Sequence, residues 1–78
     1  MRLISQNEEI DIPYERMAVE IDESDGQYTI IAYDTSDNDE DSYWAMGVYD
    51  TLEKAKKVMR EIGESQCEDR AYFLFPKN

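Results

Sequence analysis

Apolar and polar residues alternate along three stretches in the middle of the chain, a period that is typical of half-buried β-strands. The first stretch, RMAVEID, places Met17, Val19 and Ile21 on one face. The second, QYTIIAYD, and the third, SYWAMGVYD, alternate in the same way. Asp25 and Gly26, between the first two stretches, form a hairpin turn signal because glycine accepts a positive φ. The pattern therefore predicts three consecutive antiparallel strands.

The period changes in the segment DTLEKAKKVMREIG, which predicts an amphipathic helix. Its apolar residues fall on one helical face and are Leu52, Ala55, Val58, Met59 and Ile62. Either Asp50 or Thr51 can cap the first turn. Gly63 is placed to end the helix as the residue that follows its last turn.

Short apolar runs near the two ends of the chain predict the remaining strands. RLIS and IDIP predict a small hairpin whose second arm ends at Pro13, and RAYFLFP predicts a last strand that stops at Pro76. The order β-β-β-β-β-α-β indicates an α+β fold class, with an antiparallel β-sheet of about five to six strands and one helix packed on one face. The predicted core consists of Leu3, Ile10, Ile12, Val19, Ile21, Ile30, Trp44, Met46, Val48, Leu52, Ala55, Val58, Met59, Ile62, Phe73 and Phe75. The pattern leaves open whether the helix covers the Trp44 face or the Tyr43 face of the third strand.

Three segments of the sequence are distinctive, namely MRLISQN with IDIPYE, YDTLEKAKKVMREI, and FLFPKN. They resemble segments of a group of short proteins encoded by phages and prophages of Gram-positive gut bacteria. Proteins of that group share a similar opening, a Y-S/T-T-x-E-K-A helix start and a closing F-x-F-P. The resemblance covers about half of the chain and implies an accessory phage protein, but it transfers no functional residue. The long acidic stretch and the short segment between helix and last strand depart from the group.

The charge of the chain limits the partners that it can attract. The 78 residues, enough for a single domain, include 19 acidic and 8 basic residues and no histidine, for a net charge of −11. Residues 1–50 contain fourteen acidic and two basic residues, whereas residues 51–78 contain five and six. Such a surface repels phosphate backbones and anionic membranes and attracts basic protein surfaces. Direct nucleic-acid binding and membrane adhesion are therefore disfavoured.

The residue types that catalysis usually requires are scarce in this sequence. Histidine is absent, and no nucleophile motif or phosphate-binding glycine loop occurs. The single cysteine, Cys67, lies among the negatively charged Glu64, Glu68 and Asp69, surroundings that disfavour a reactive thiolate. The sequence thus predicts a non-enzymatic protein with no cofactor. With no secretion signal and no apolar run long enough to span a membrane, the expected location is the bacterial cytoplasm.

A calcium site is also disfavoured, although three carboxylates have a suggestive spacing. Asp37, Asp39 and Asp41 occupy positions 1, 3 and 5 of an EF-hand-like loop. The position that requires glycine holds Ser42, and the position that requires a bidentate glutamate holds Val48. No metal is therefore predicted.

The candidate partner-binding residues are carboxylates and tyrosines. They are the acidic stretch Asp34, Asp37, Asp39, Glu40 and Asp41, the turn residues Asp22, Glu23 and Asp25, and the tyrosines Tyr33, Tyr43 and Tyr49. Carboxylates along a hairpin can bind the lysine and arginine side chains with which a nuclease or repressor normally contacts phosphate. Tyrosines are frequent anchors at protein interfaces. Alternatively, the acidic stretch is a solvated turn that blocks edge-to-edge pairing, and the tyrosines are buried by helix and sheet.

The favoured hypothesis is a phage-type inhibitor that binds a basic, nucleic-acid-binding effector of host defence, in the manner of an anti-CRISPR protein that mimics DNA. One alternative is a homo-oligomer, in the simplest case a homodimer, that sequesters a small signalling ligand. An anionic ligand would require convergence of the basic residues Lys54, Lys56, Lys57, Arg60 and Arg70. A third hypothesis is a structural or assembly factor of the phage particle.

Overall fold

The computed structural model describes residues 1–35 and 43–78. Within these residues the chain forms six strands and one α-helix in the predicted order. The strands are β1 (Arg2–Ile4), β2 (Asp11–Pro13), β3 (Met17–Ser24), β4 (Gln27–Asp34), β5 (Trp44–Tyr49) and β6 (Tyr72–Leu74), and the helix is α1 (Leu52–Cys67). The α+β fold class is confirmed.

The strands divide between two three-stranded sheets, whereas the sequence pattern predicted one. One sheet has the order β2-β1-β6, in which β1 is antiparallel to β2 and parallel to β6. The other has the order β3-β4-β5 and is antiparallel throughout. A short 3-10 helix, Tyr14–Arg16, separates β2 from β3. Alternation could not predict the division, because a period of two fixes which side chains share a face and not which strands are neighbours.

The turn between β3 and β4 has the conformation that its sequence predicted. Asp25 and Gly26 have φ angles of 52° and 77°, both positive. Two consecutive positive φ angles are characteristic of the type I′ turn, whose twist matches that of the flanking strands. The register follows from this turn, with Ser24 opposite Gln27.

A β-bulge interrupts the pairing of β4 with β5. Ile30 pairs with Gly47, but the next residue, Ile31, pairs with Ala45, so that Met46 is one extra residue in β5. Both Met46 and Gly47 are buried as a result. The bulge therefore reverses which side chains of β5 point inward beyond this position.

Three side chains of β5 lie differently from the sequence prediction, and the bulge explains two of them, Tyr49 and Val48. Tyr49, predicted to lie on an exposed face, is only 2% exposed. Val48, predicted to be in the core, is half-buried, and Trp44 is 49% exposed. The side of β5 that faces the helix thus carries Trp44 before the bulge and Tyr49 after the bulge.

Helix α1 begins at the predicted cap and ends later than predicted. The Thr51 hydroxyl accepts a hydrogen bond from the Lys54 backbone N–H at 3.2 Å. The helix continues through Gly63 and ends in a Schellman motif, with Asp69 in the left-handed region at a φ of 61°. In this motif the Arg70 N–H donates to the Ser65 carbonyl at 3.1 Å. Asp69 therefore ends the helix in the way that was predicted for Gly63.

The core lies between α1 and the inner faces of the two sheets. Its buried apolar residues are Leu3, Ile12, Ile30, Ala32, Met46, Tyr49, Ala55, Val58, Ile62, Phe73 and Phe75. The rings of Phe73 and Phe75 meet edge to face at 5.3 Å. Leu52, predicted to be in the core, is 39% exposed at the start of the helix.

Gln6 joins the two sheets through both its backbone and its side chain. Its backbone N–H donates to the Met46 carbonyl at 2.7 Å. Its side-chain oxygen accepts from the Val48 N–H at 3.2 Å, and its side-chain nitrogen donates to the Val48 carbonyl at 3.3 Å and to the Pro76 carbonyl at 3.1 Å. The Gln6 amide thus pairs with the outer edge of β5 as a neighbouring strand would.

Candidate interaction surface

The β3-β4-β5 sheet has one face turned toward the core and one face turned away from it. Side chains alternate along a strand, so those between the inward residues Ile30 and Ala32 belong to the second face. This face, here called the open face, consists of Ala18, Glu20, Asp22, Thr29, Ile31, Tyr33, Ala45 and Val48. None of these residues belongs to the core or packs against it among the residues described.

The open face has an apolar centre and an acidic border. Ile31 lies opposite Ala45 on one side and Glu20 on the other, and Asp22 lies opposite Thr29. Glu20 and Asp22 are exposed on β3, the outermost strand of this sheet. The centre offers contact area and the border offers negative charge, a combination that suits a partly basic protein surface.

The predicted acidic residues fall into separate places. Asp34 ends β4 and its carboxylate is 3.3 Å from the guanidinium of Arg16. Asp22, Glu23 and Asp25 are exposed toward the opposite end of the β3-β4 hairpin, roughly 17–25 Å away at the usual rise per residue of a strand. The turn carboxylates therefore do not extend the charge around Asp34. The other predicted acidic residues, Asp37, Asp39, Glu40 and Asp41, lie outside the described residues.

The three predicted tyrosines also separate. Tyr33 is half-buried on the open face. Tyr43 precedes Ala45 by two residues, which places it on the same side as the open face, and it is 57% exposed. Tyr49 is buried, and its hydroxyl donates a hydrogen bond to the Pro76 carbonyl at 2.8 Å. Tyr49 is therefore a core residue and not a contact residue. Sequence reasoning missed Ile31 as a surface residue, although the consecutive isoleucines of QYTIIAYD indicate apolar residues on both faces.

Burial raises the pKa of Tyr49 to about 12, and the negative charge of Glu61 adds to this effect. The ordinary value for tyrosine is about 10. Tyr49 therefore ionises at a lower pH in the unfolded state than in the folded state. The stability that this difference contributes below pH 10 is lost as the pH rises toward 12. We expect the free energy of unfolding to fall more steeply between pH 10 and 12 in the wild-type protein than in Tyr49→Phe. Parallel urea-denaturation profiles of the two proteins over this pH range would contradict the assignment.

The basic residues of α1 converge only in part. Lys54 and Lys57 line a cavity of about 200 Å³ together with Lys77, Tyr49 and Glu61. The Lys54 amine is 2.9 Å from the Asp50 carboxylate and is thus already paired. Ligand pockets usually measure roughly 300–1,000 Å³. This cavity therefore gives little support to binding of a nucleotide.

The described residues contain no group of three or more acidic or cysteine side chains arranged to hold a metal ion. Among the same residues, no helix has the length and apolar character needed to cross a membrane. No protein-family model matches the chain, and comparisons with curated proteins and with solved structures also find no significant match.

Proposed function

We propose that this protein is a non-enzymatic inhibitor that binds a basic surface of a nucleic-acid-binding protein through its open face. The observation that carries the proposal is an uncovered apolar sheet face bordered by Glu20 and Asp22, in a chain of net charge −11. Occupation of the basic surface excludes the nucleic acid that normally binds there. The resemblance to phage-encoded proteins favours an effector of bacterial defence, such as a CRISPR nuclease, as the target.

The two parts of the surface have different physical roles. Ile31, Tyr33 and Val48 supply apolar area, which at about 25 cal/mol per Å² is the main source of affinity once it is buried. The carboxylates steer the encounter with a basic partner at long range and raise its association rate. Binding should therefore weaken with salt without disappearing.

Affinity capture from a bacterial lysate that contains a CRISPR effector tests the proposal. The tagged wild-type protein should retain a basic nucleic-acid-binding protein, and the amount retained should decrease without falling to zero as the salt concentration rises. The double variant Tyr33→Thr with Tyr43→Thr should retain the same protein at least about tenfold less well, because aromatic anchors of an interface each contribute about 1–2 kcal/mol or more. Threonine is chosen because it keeps a high strand propensity.

The matched control is Leu52→Ala, which removes an exposed apolar side chain that lies outside the open face. Leu52 is 39% exposed at the start of α1. An equal loss of capture in this control would show that the open face is not the contact surface. Elution of the bait as a dimer without a partner would replace the proposal with self-association through the same face.

A further inference from the structure

A second surface, independent of the open face, lies between α1 and β6. It is a groove of about 700 Å³ that follows the chain from Arg70 to Leu74 on one side. The other side is a single stripe of the helix that comprises Glu61, Glu64, Ser65 and Glu68. The groove is thus long enough for an extended peptide segment of several residues.

Strand β6 is the last strand of its sheet and has β1 as its one neighbour in the described chain. The Arg2 N–H donates to the Ala71 carbonyl at 2.9 Å, and the Phe75 N–H donates to the Ile4 carbonyl at 3.0 Å. Alternate residues of a strand direct their backbone groups to the same side. The N–H and C=O groups of Tyr72 and Leu74 therefore point away from β1.

The residues that line the groove show that it runs along the free edge of β6. Residues of both faces of β6 line the groove, the buried Phe73 and the exposed Tyr72 and Leu74. A cavity on one face of the sheet would be lined by one set only, because side chains alternate. Tyr72 and Leu74 are 59% and 44% exposed and leave apolar area beside the unpaired backbone groups.

The negative charge of the groove favours a basic peptide segment. Three carboxylates line the helical side, and the one basic residue in the lining, Arg70, is held by Glu68 at 2.8 Å. The remaining charge is negative and favours lysine or arginine side chains on the bound segment.

We propose that the groove binds an extended, basic peptide segment of a partner protein, which adds as a strand to the free edge of β6. Backbone hydrogen bonds to Tyr72 and Leu74 hold the segment, and its basic side chains lie against Glu61 and Glu64, since Glu68 is already paired with Arg70. This is the β-augmentation mode of peptide recognition. It does not depend on the open face.

The test uses the full-length protein and a synthetic peptide of about eight residues that alternates lysine with valine, capped at both ends. We expect the triple variant Glu61→Gln, Glu64→Gln and Glu68→Gln to bind this peptide about tenfold more weakly, because it loses two partly exposed ion pairs and leaves the positive charge of Arg70 without its partner. The control removes the same number of exposed charges away from both the groove and the open face and consists of Glu8→Gln, Glu23→Gln and Asp25→Asn. This control should bind within about twofold of the wild-type protein.

Backbone methylation separates strand addition from general charge attraction. The same peptide with alternate amide nitrogens methylated should bind at least about tenfold more weakly, since it loses donors to the edge. Hydrogen exchange at the amides of Tyr72 and Leu74 should slow when the unmethylated peptide binds. Equal affinity for both peptides, or an equal loss in both triple variants, would overturn the proposal. The Tyr33→Thr with Tyr43→Thr variant should bind the peptide normally, which distinguishes this result from a failure of the open face.

Discussion

Replacement of Gln6 by alanine is expected to lower the free energy of unfolding by about 2 kcal/mol, as measured by urea denaturation. Three hydrogen bonds of the Gln6 side chain join the β1-β2 turn to Val48 and Pro76. Their loss leaves the N–H and C=O of Val48 on the edge of β5 without these partners. Unpaired backbone groups in a partly buried site cost more than the net gain from an average hydrogen bond.

Two further variants make the Gln6 experiment specific. Gln66→Ala removes an exposed glutamine from α1 and should change the free energy of unfolding by less than about 0.5 kcal/mol. Gln6→Glu keeps the shape but replaces the donor with a carboxylate that faces the Val48 and Pro76 carbonyls. It should therefore be at least as destabilising as Gln6→Ala at neutral pH. If both Gln6 variants had the stability of the wild-type protein, the link between the sheets would not depend on Gln6.

Replacement of Gly47 by alanine is expected to cost about 1–3 kcal/mol, the range found when extra methyl groups are forced into packed interiors. An added Cβ at Gly47 would lie 2.8 Å from the hydroxyl oxygen of Tyr49 and 3.0 Å from its Cε2 atom. The ring cannot move aside easily, because Tyr49 is buried and its hydroxyl is bonded to Pro76. Thermal or urea denaturation measures the loss.

A double-mutant cycle with Tyr49→Leu tests whether the Tyr49 ring causes this loss. The cost of Gly47→Ala should shrink by at least about 0.5 kcal/mol when the ring is absent. Gly63→Ala is the matched control, since an added Cβ there meets no described atom within 4 Å and the residue lies inside α1. It should stabilise the protein by about 0.5–1 kcal/mol. An undiminished cost in the Tyr49→Leu background would assign the loss to something other than the ring.

Much of the fold followed from local patterns in the sequence. The alternation around Val19 and Ile30, the turn at Asp25 and Gly26, and the helical spacing from Leu52 to Ile62 each depend on nearby residues, and each element formed where it was predicted. The pairing of β1 with β6 depends on residues about seventy positions apart and leaves no local signal. For the same reason the division into two sheets was not predictable.

Single residues explain the remaining differences. One extra residue at Met46 moved Tyr49 into the core and Val48 toward the open face. Asp69, and not Gly63, adopts the left-handed conformation that ends α1. Aspartate adopts that conformation only occasionally, so a glycine is the stronger sequence signal.

The candidate surface was predictable in composition and not in shape. The acidic excess of residues 1–50 followed from the sequence, whereas the exposure of Tyr43 was left open there. The separation of Asp34 from Asp25 by the length of β4 required the hairpin geometry, and the apolar centre around Ile31 required the position of the helix. The groove beside β6 involves residues whose closeness only the tertiary structure defines.

The most direct test of the proposed function is competition with DNA on the effector that the wild-type protein captures. The anisotropy of a labelled DNA duplex bound to that effector is recorded while the protein is added. We expect the anisotropy to fall to the value of free DNA, with at least about tenfold more of the Tyr33→Thr with Tyr43→Thr variant required for the same effect. Anisotropy that stays at the bound value, while the protein saturates the effector, would show that the two do not compete and would contradict inhibition by occupation of the nucleic-acid site.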